Sequence, residues 1–327
     1  MSDTERLDAS PPPPRLTGVV ARRSMLGLMA AVVVAVLLYY PIGMIWVHRI
    51  DDDPDFAAGE AQGPPDGASR AVAVAVALIE REVDAHRWTA NDPFFLPSAA
   101  LDNMPNFQQG VVAALSRFVI EMRDRIGRVR GTSREDADLK RAAGQLSYDG
   151  TVWIVDLRTS WWTLTASSEK QYRAARRALI AYNDRLAAGD AVFERRTDNL
   201  LDALERIAAN IGSDSAVIHR HIEEHSGDLL DLRGDDIFYW TKGGLYANYL
   251  LLRELAGDFA NVIEERELTA VWANMLASFR AAATLRPWVV VNGDPGGQVL
   301  PSHLAAQGFY LLRARTQLKE VTNILLK

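Results

Sequence analysis

The sequence contains no cysteine. That absence excludes disulfides, thiol catalysis, Cys-ligated zinc, iron–sulfur clusters and covalent c-type haem, and it removes the residue that a lipoprotein anchor needs. It fits either side of a membrane and selects no compartment. Positive charge is also scarce: 36 Lys and Arg stand against 42 Asp and Glu, a net charge of −6 with a pI near 5.6. No basic cluster lies beyond the N-terminal tail, so nucleic acid is not an expected partner, because binding phosphates takes concentrated Lys and Arg. Anionic lipid headgroups are excluded as a ligand of the remaining chain by the same argument. What is present is ordinary globular composition, 48% hydrophobic and 24% charged, enough to bury a sizeable core.

One apolar run dominates the N-terminal part. Met25 to Val47 carries no charged side chain; at 1.5 Å per residue it reaches roughly 34 Å, enough for a hydrocarbon core of about 30 Å. Tyr39, Tyr40 and Trp46 suit an interfacial belt, and Pro41 is tolerated near a helix end in lipid. A cleaved signal peptide has a shorter apolar region, about 7–15 residues, with a small-x-small site close behind. Here the run is longer and ends in Ile45-Trp46-Val47-His48-Arg49, so an anchor is the better reading. Arg6, Arg15, Arg22 and Arg23 precede it, whereas Arg49 follows it beside Asp51, Asp52, Asp53 and Asp55. The positive-inside rule then predicts a cytoplasmic N-terminus and a periplasmic C-terminal domain at the bacterial inner membrane. Gly27, Ala31 and Ala35 form a small-xxx-small ladder suited to packing a second transmembrane helix, a copy of itself included; chance in an Ala/Val-rich segment yields the same pattern.

The chain divides accordingly. Residues 1–24, with Pro11 to Pro14, read as a disordered cytoplasmic tail, 25–47 as the transmembrane helix, 48–69 as a flexible acidic, Pro/Gly-rich linker, and 70–327 as a helical periplasmic domain. The predicted fold class is mainly α: one N-terminal transmembrane helix, then a multi-helix soluble domain with room for one small β-hairpin at 288–300. Apolar periodicity predicts helices over 68–88, 106–129, 132–146, 168–188, 193–211, 214–225, 235–264, 267–284 and 302–326. Asn106, and the capping boxes Thr132/Glu135 and Ser168/Gln171, mark expected starts; Gly212-Ser213 marks a break and Gly243-Gly244 a weak point. Residues 151–166 fit either a strand or a buried helix.

Candidate chemistry is thin. His221 and His225 share a helix face at i,i+4 and are weak metal candidates, but Ile222 stands where a zinc-protease helix needs Glu, and an exposed helix end explains them as well. Asp51, Asp53 and Asp55 imitate a calcium loop, with Phe56 and Gln62 in place of the required Gly and Glu. The Gly-rich Asn292–Gly297 stretch lacks the Lys-Ser/Thr of a phosphate loop. Leu304, Leu311, Leu318 and Leu325 repeat in heptads, but the weak second row (Gln307, Ala314, Val321) favours a terminal core helix over a coiled coil. No catalytic residue is assigned, and no cofactor or metal is expected. The remaining candidate is the Pro-interrupted stretch around residues 91–106, where Asn91, Asp92, Asp102, Asn103 and Asn106 would line a ligand loop; simple packing between helices is the alternative.

Asn91-Asp92-Pro93-Phe94-Phe95-Leu96-Pro97, continuing through Leu101-Asp102-Asn103-Met104-Pro105-Asn106-Phe107, resembles a bacterial family of unassigned function, the domain of unknown function 2333. Gly150-Thr151-Val152-Trp153 and Ser168-Glu169-Lys170-Gln171-Tyr172-Arg173 are similar to it as well. The resemblance covers most of the chain from the apolar run onward and implies a proteobacterial inner-membrane setting, without any assigned activity or site residue. Two functions stay open: a non-enzymatic envelope protein binding a protein partner, a second copy of itself included, or a tethered enzyme or ligand binder acting on an envelope component.

Overall fold

The apolar run lies within one helix, α1 (Leu16–Val47). The structure is a computed structural model and describes residues 16–59, 64–127, 135–154, 165–226, 231–287, 289–293 and 301–327. Among them, residues 22–47 form the one helix long and apolar enough to cross a membrane. Met25, Leu28, Val36, Leu37 and Ile45 are largely exposed. The helix begins inside the segment read from sequence as a disordered tail; residues 1–15 lie outside the described residues.

The body is built from α2 (Arg70–Glu80), α3 (Asn103–Glu121), α4 (Ala137–Leu146), α5 (Ser168–Ala188), α6 (Thr197–His225), α7 (Leu232–Asp258), α8 (Ala260–Glu265), α9 (Thr269–Ala283) and α10 (His303–Leu325). The mainly α prediction therefore holds. Among the described residues there is no strand, only an isolated antiparallel bridge between Asn292 and Ser302 at the expected hairpin; residues 294–300 lie outside the description, as do 155–164 of the ambiguous stretch.

The centre of the fold is the crossing of α3 and α7. Gly110 and Gly243 make it possible: a Cβ on Gly243 would overlap the Phe107 carbonyl, and one on Gly110 would overlap the Trp240 carbonyl. Gly243-Gly244 is thus no weak point. The helix runs through it, and the missing side chains let two backbones approach. Gly212-Ser213 likewise does not break α6; the Arg315 guanidinium from α10 lies 3.0 Å from where a Gly212 Cβ would sit. The α10 leucines Leu304, Leu311, Leu318 and Leu325 are buried against α6 and α9, so the heptad seam is internal core. Each such leucine contributes about 1.5–3 kcal/mol by burial.

The helix starts differ from the sequence reading. Helix α3 begins at Asn103, ahead of Asn106. Helix α4 starts at Ala137, where the Asp136 carboxylate accepts from the Asp138 and Leu139 amides; Thr132 lies outside the described residues. At α5 the N-cap is Ser167, and the Ser168 hydroxyl instead reaches back to the Asp149 and Val152 carbonyls. Helix α2 has a cap assembled across the fold. Asp258, closing α7, accepts from the Ser69 hydroxyl (2.7 Å) and from the Arg70 and Ala71 amides (2.8 and 3.0 Å). A carboxylate there satisfies orphan donors and meets the positive end of the helix dipole.

Candidate functional site at the base of the apolar helix

The C-terminal end of α1 meets the body directly. A Cβ on Gly43 would overlap the Pro97 ring, and the Tyr40 hydroxyl donates to the Phe94 carbonyl at 3.2 Å. The chain then enters residues 48–59, where the sequence suggests a flexible linker. Residues 51–56 instead form a strap gripped by the body. Asp52 is 1% exposed. It accepts from Lys242 Nζ at 2.6 Å and from Arg286 Nε at 2.8 Å. Tyr246 donates to the Asp53 carbonyl (2.7 Å), and Arg253 to those of Pro54 and Phe56 (2.8 and 2.6 Å). Arg81, itself buried, stacks 4.5 Å from the centre of the Phe56 ring and lies 3.6 Å from Asp51.

Burial works against the Asp52 charge, yet the hydrogen bonds from Arg286 and Lys242 outweigh it and hold the carboxyl below its usual range. Burial pushes Lys242 down, and Asp52 only partly restores it. These directions are compatible because Arg286, mostly exposed and always charged, secures the carboxylate whatever the state of Lys242.

Beside the strap, the starts of α3 and α7 bring carboxylates together. Asp102, Asp235 and Asp236 adjoin, with Asn106 donating to Asp236 at 2.6 Å. Asp102 lies close enough to Asp236 to disfavour its charge. Burial first, then the neighbouring carboxylates, pushes Asp235 up to about 7 and Asp236 to about 6. Two small cavities flank this cluster. One, of about 170 Å³, is lined by His48, Asp52, Asn103, Tyr239, Lys242 and Arg286; the other, of about 250 Å³, by Asn106, Asp214, Asp236, Trp240 and Thr241 among others. Neither ring nitrogen of His48 has a partner among the described residues, and burial lowers its pKa against the pull of Asp102.

The five ligand-loop candidates thus split. Asp102, Asn103 and Asn106 face α7 at this site. Asn91 is buried and donates to the Val152 carbonyl (2.8 Å) and Glu169 (2.9 Å), and Asp92 accepts from Arg87 and Ser98. These two brace the loop. His221 is buried, not on an exposed end; its Nε2 lies 2.6 Å from Asp231, which also accepts from the Gly234 amide and from Asn292. The His225 ring stacks 4.7 Å from it. This cluster ties the end of α6 to the start of α7, and among the described residues no group of three potential ligands is placed to hold a metal ion. On α1, Gly27 has nothing within 4 Å, and Ala31 and Ala35 are exposed.

Sequence reasoning missed the strap, Lys242, Arg286 and the carboxylates of α7. Their partners are far apart in the chain, and the one local signal was the unpaired Asp51-Asp52-Asp53 run. Among curated proteins and solved structures nothing matches the chain. A family model does, over residues 21–231, taking in the apolar helix, the strap and the 91–106 loop. The chain belongs to the DUF2333 family, described as an uncharacterized protein conserved in bacteria.

Proposed function

We propose that α1 anchors the chain in the bacterial inner membrane, N-terminus in the cytoplasm, and holds the helical domain in the periplasm as a protein-interaction or scaffold module of the cell envelope rather than an enzyme. The observation that carries this reading is the grip on residues 51–56, above all Asp52 between Lys242 and Arg286. A domain seated firmly on its anchor meets a partner in the same envelope in one orientation, which lowers the ordering cost of binding. At the candidate site itself, cavity size supports the same reading. The two cavities at the base fall below the roughly 300–1,000 Å³ typical of small-molecule sites. A larger hollow of about 450 Å³ is a mostly apolar groove along Ala256, Ile263, Trp272 and Leu276. The net charge of −6 supports a partner other than nucleic acid.

The alternative is a tethered ligand binder or enzyme acting on an envelope component; it draws on unpartnered His48 beside the carboxylates. In-cell crosslinking separates the two. A protein, or a second copy of the chain, captured with the full-length form and lost when residues 48–327 are removed is the expected result. Capture of nothing specific would overturn the interaction reading in favour of the alternative.

A further inference from the structure

We infer that the loop of residues 93–101 is a second membrane-contacting element, with Phe94, Phe95 and Leu101 seated in the interfacial layer of the bilayer beside α1. The inference rests on the proposal that α1 spans the membrane. Counted from Met25, the first residue after Arg22-Arg23, a hydrocarbon core takes about 20 residues and ends near Met44. Tyr40 and Gly43 therefore lie in the outer part of that core. The loop is fixed to those two residues, by the Tyr40–Phe94 hydrogen bond and the seating of Pro97 on Gly43. It cannot stand far above the bilayer while these contacts hold.

Its side chains suit that depth. Phe94 is 86% exposed, Phe95 49% and Leu101 37%. Trp153, half-buried, packs edge-on against Phe95 and Phe94 against Phe95, so the three rings form one group, exposed at Phe94 and Phe95, beside Tyr40. In water this group is an unexplained apolar patch; at a membrane interface aromatic rings are favoured. The backbone suits it too. Pro93 and Pro97 have no amide to satisfy, Leu96 donates to the Pro93 carbonyl, Ala99 donates to the Leu96 carbonyl, and Tyr40 serves the Phe94 carbonyl. The side chains of the contact are apolar, so it requires no anionic headgroup.

The cysteine-free chain makes the test direct. Single cysteines replace Phe94, Ala31 in mid-span, and Glu265 on α8 at the far end of α7; each full-length variant is nitroxide-labelled in phosphatidylcholine vesicles. Collision with oxygen, which enters lipid, is compared with collision with a water-soluble nickel chelate. The expected oxygen-over-nickel ratio is highest at 31, several-fold above the Glu265 position at 94, and lowest at 265. A label at 31 in lipid with a label at 94 as aqueous as that at 265 would overturn the loop proposal alone. So would a label at 94 shielded from both reagents, which marks a protein contact. An aqueous label at 31 would overturn the membrane span, and the loop proposal with it.

Discussion

Helices α1 and α7 are similar in length, 32 and 27 residues, and opposite in what they carry and where they lie. Helix α1 has no charge between Met25 and Val47 and stays exposed. Helix α7 carries Asp235, Asp236, Lys242, Arg253, Glu254 and Asp258, and is the helix that α2, α3 and α9 all pack against. The difference teaches that available partners, not hydropathy, decide burial here. The charges of α7 are answered by other parts of the fold: Lys242 by Asp52, Arg253 by strap carbonyls, Asp258 by the start of α2. Among the described residues the apolar surface of α1 has no such answer, and the proposed membrane span would supply one.

The comparison breaks most sharply at Asp52. Asp52→Ala leaves Lys242 buried without its counter-ion and is expected to cost about 3–5 kcal/mol, read as a lower midpoint in denaturant unfolding of the detergent-solubilised chain. Replacing both partners, Asp52→Leu with Lys242→Met, should recover most of that loss. If the single and double variants are equally unstable, the pair is not what holds the strap. On α1 the matching change is Val34→Asp. It is neutral if the helix lies in water, and should cost about 2.5–3.5 kcal/mol of insertion if it spans a bilayer, seen as loss from the membrane fraction.

Gly243→Ala probes the crossing that buries α7. The added methyl meets the Phe107 backbone and is expected to cost about 1–3 kcal/mol by thermal unfolding, whereas Gly144→Ala on α4, with open space around it, should be neutral or slightly stabilising. Asp235 gives the smallest and most pH-dependent effect. Unfolded, its carboxyl titrates near 3.8; folded, near 7. Between those values the folded state holds more protons, so stability falls as pH rises through the window. Asp235→Asn should therefore exceed the wild type above pH 7, with the gap closing below pH 4. Solvent screening and the α7 dipole, which favours the anion in its first turn, reduce the gain to about 1 kcal/mol, or about 2–4 °C in melting temperature. A gap that does not change with pH would place the cause elsewhere.

Much of this was legible because periodicity is local. The spacing of Leu200, Leu204, Ile207 and Ile211 marks α6, and that of Leu304 to Leu325 marks α10, without knowledge of any neighbour. Misjudged features depend on what lies across the fold. Gly212 reads as a break and Gly243 as a weak point because a glycine weakens an isolated helix; opposite the Arg315 guanidinium and the Phe107 backbone, respectively, it is what close packing requires. The run Asp51-Asp52-Asp53-Pro54 reads as solvated linker because acidic and Pro-rich stretches usually are, and its cations lie some 190 and 234 residues further on. A minority of the candidate site is legible: the Pro-rich interruption singles out Asp102, Asn103 and Asn106. Asp235 and Asp236 are not legible, since two carboxylates at a helix start look like ordinary dipole partners until the start of α3 is placed against them.

The most direct test of the central claim is the state of the mature chain in its native membranes. Cells are fractionated, the membranes washed with alkaline carbonate, and the retained protein weighed by intact mass spectrometry. The account predicts a chain retained in the washed membranes with α1 intact. A shorter chain lacking α1, recovered in the soluble fraction, would contradict it and make the apolar helix a removed leader.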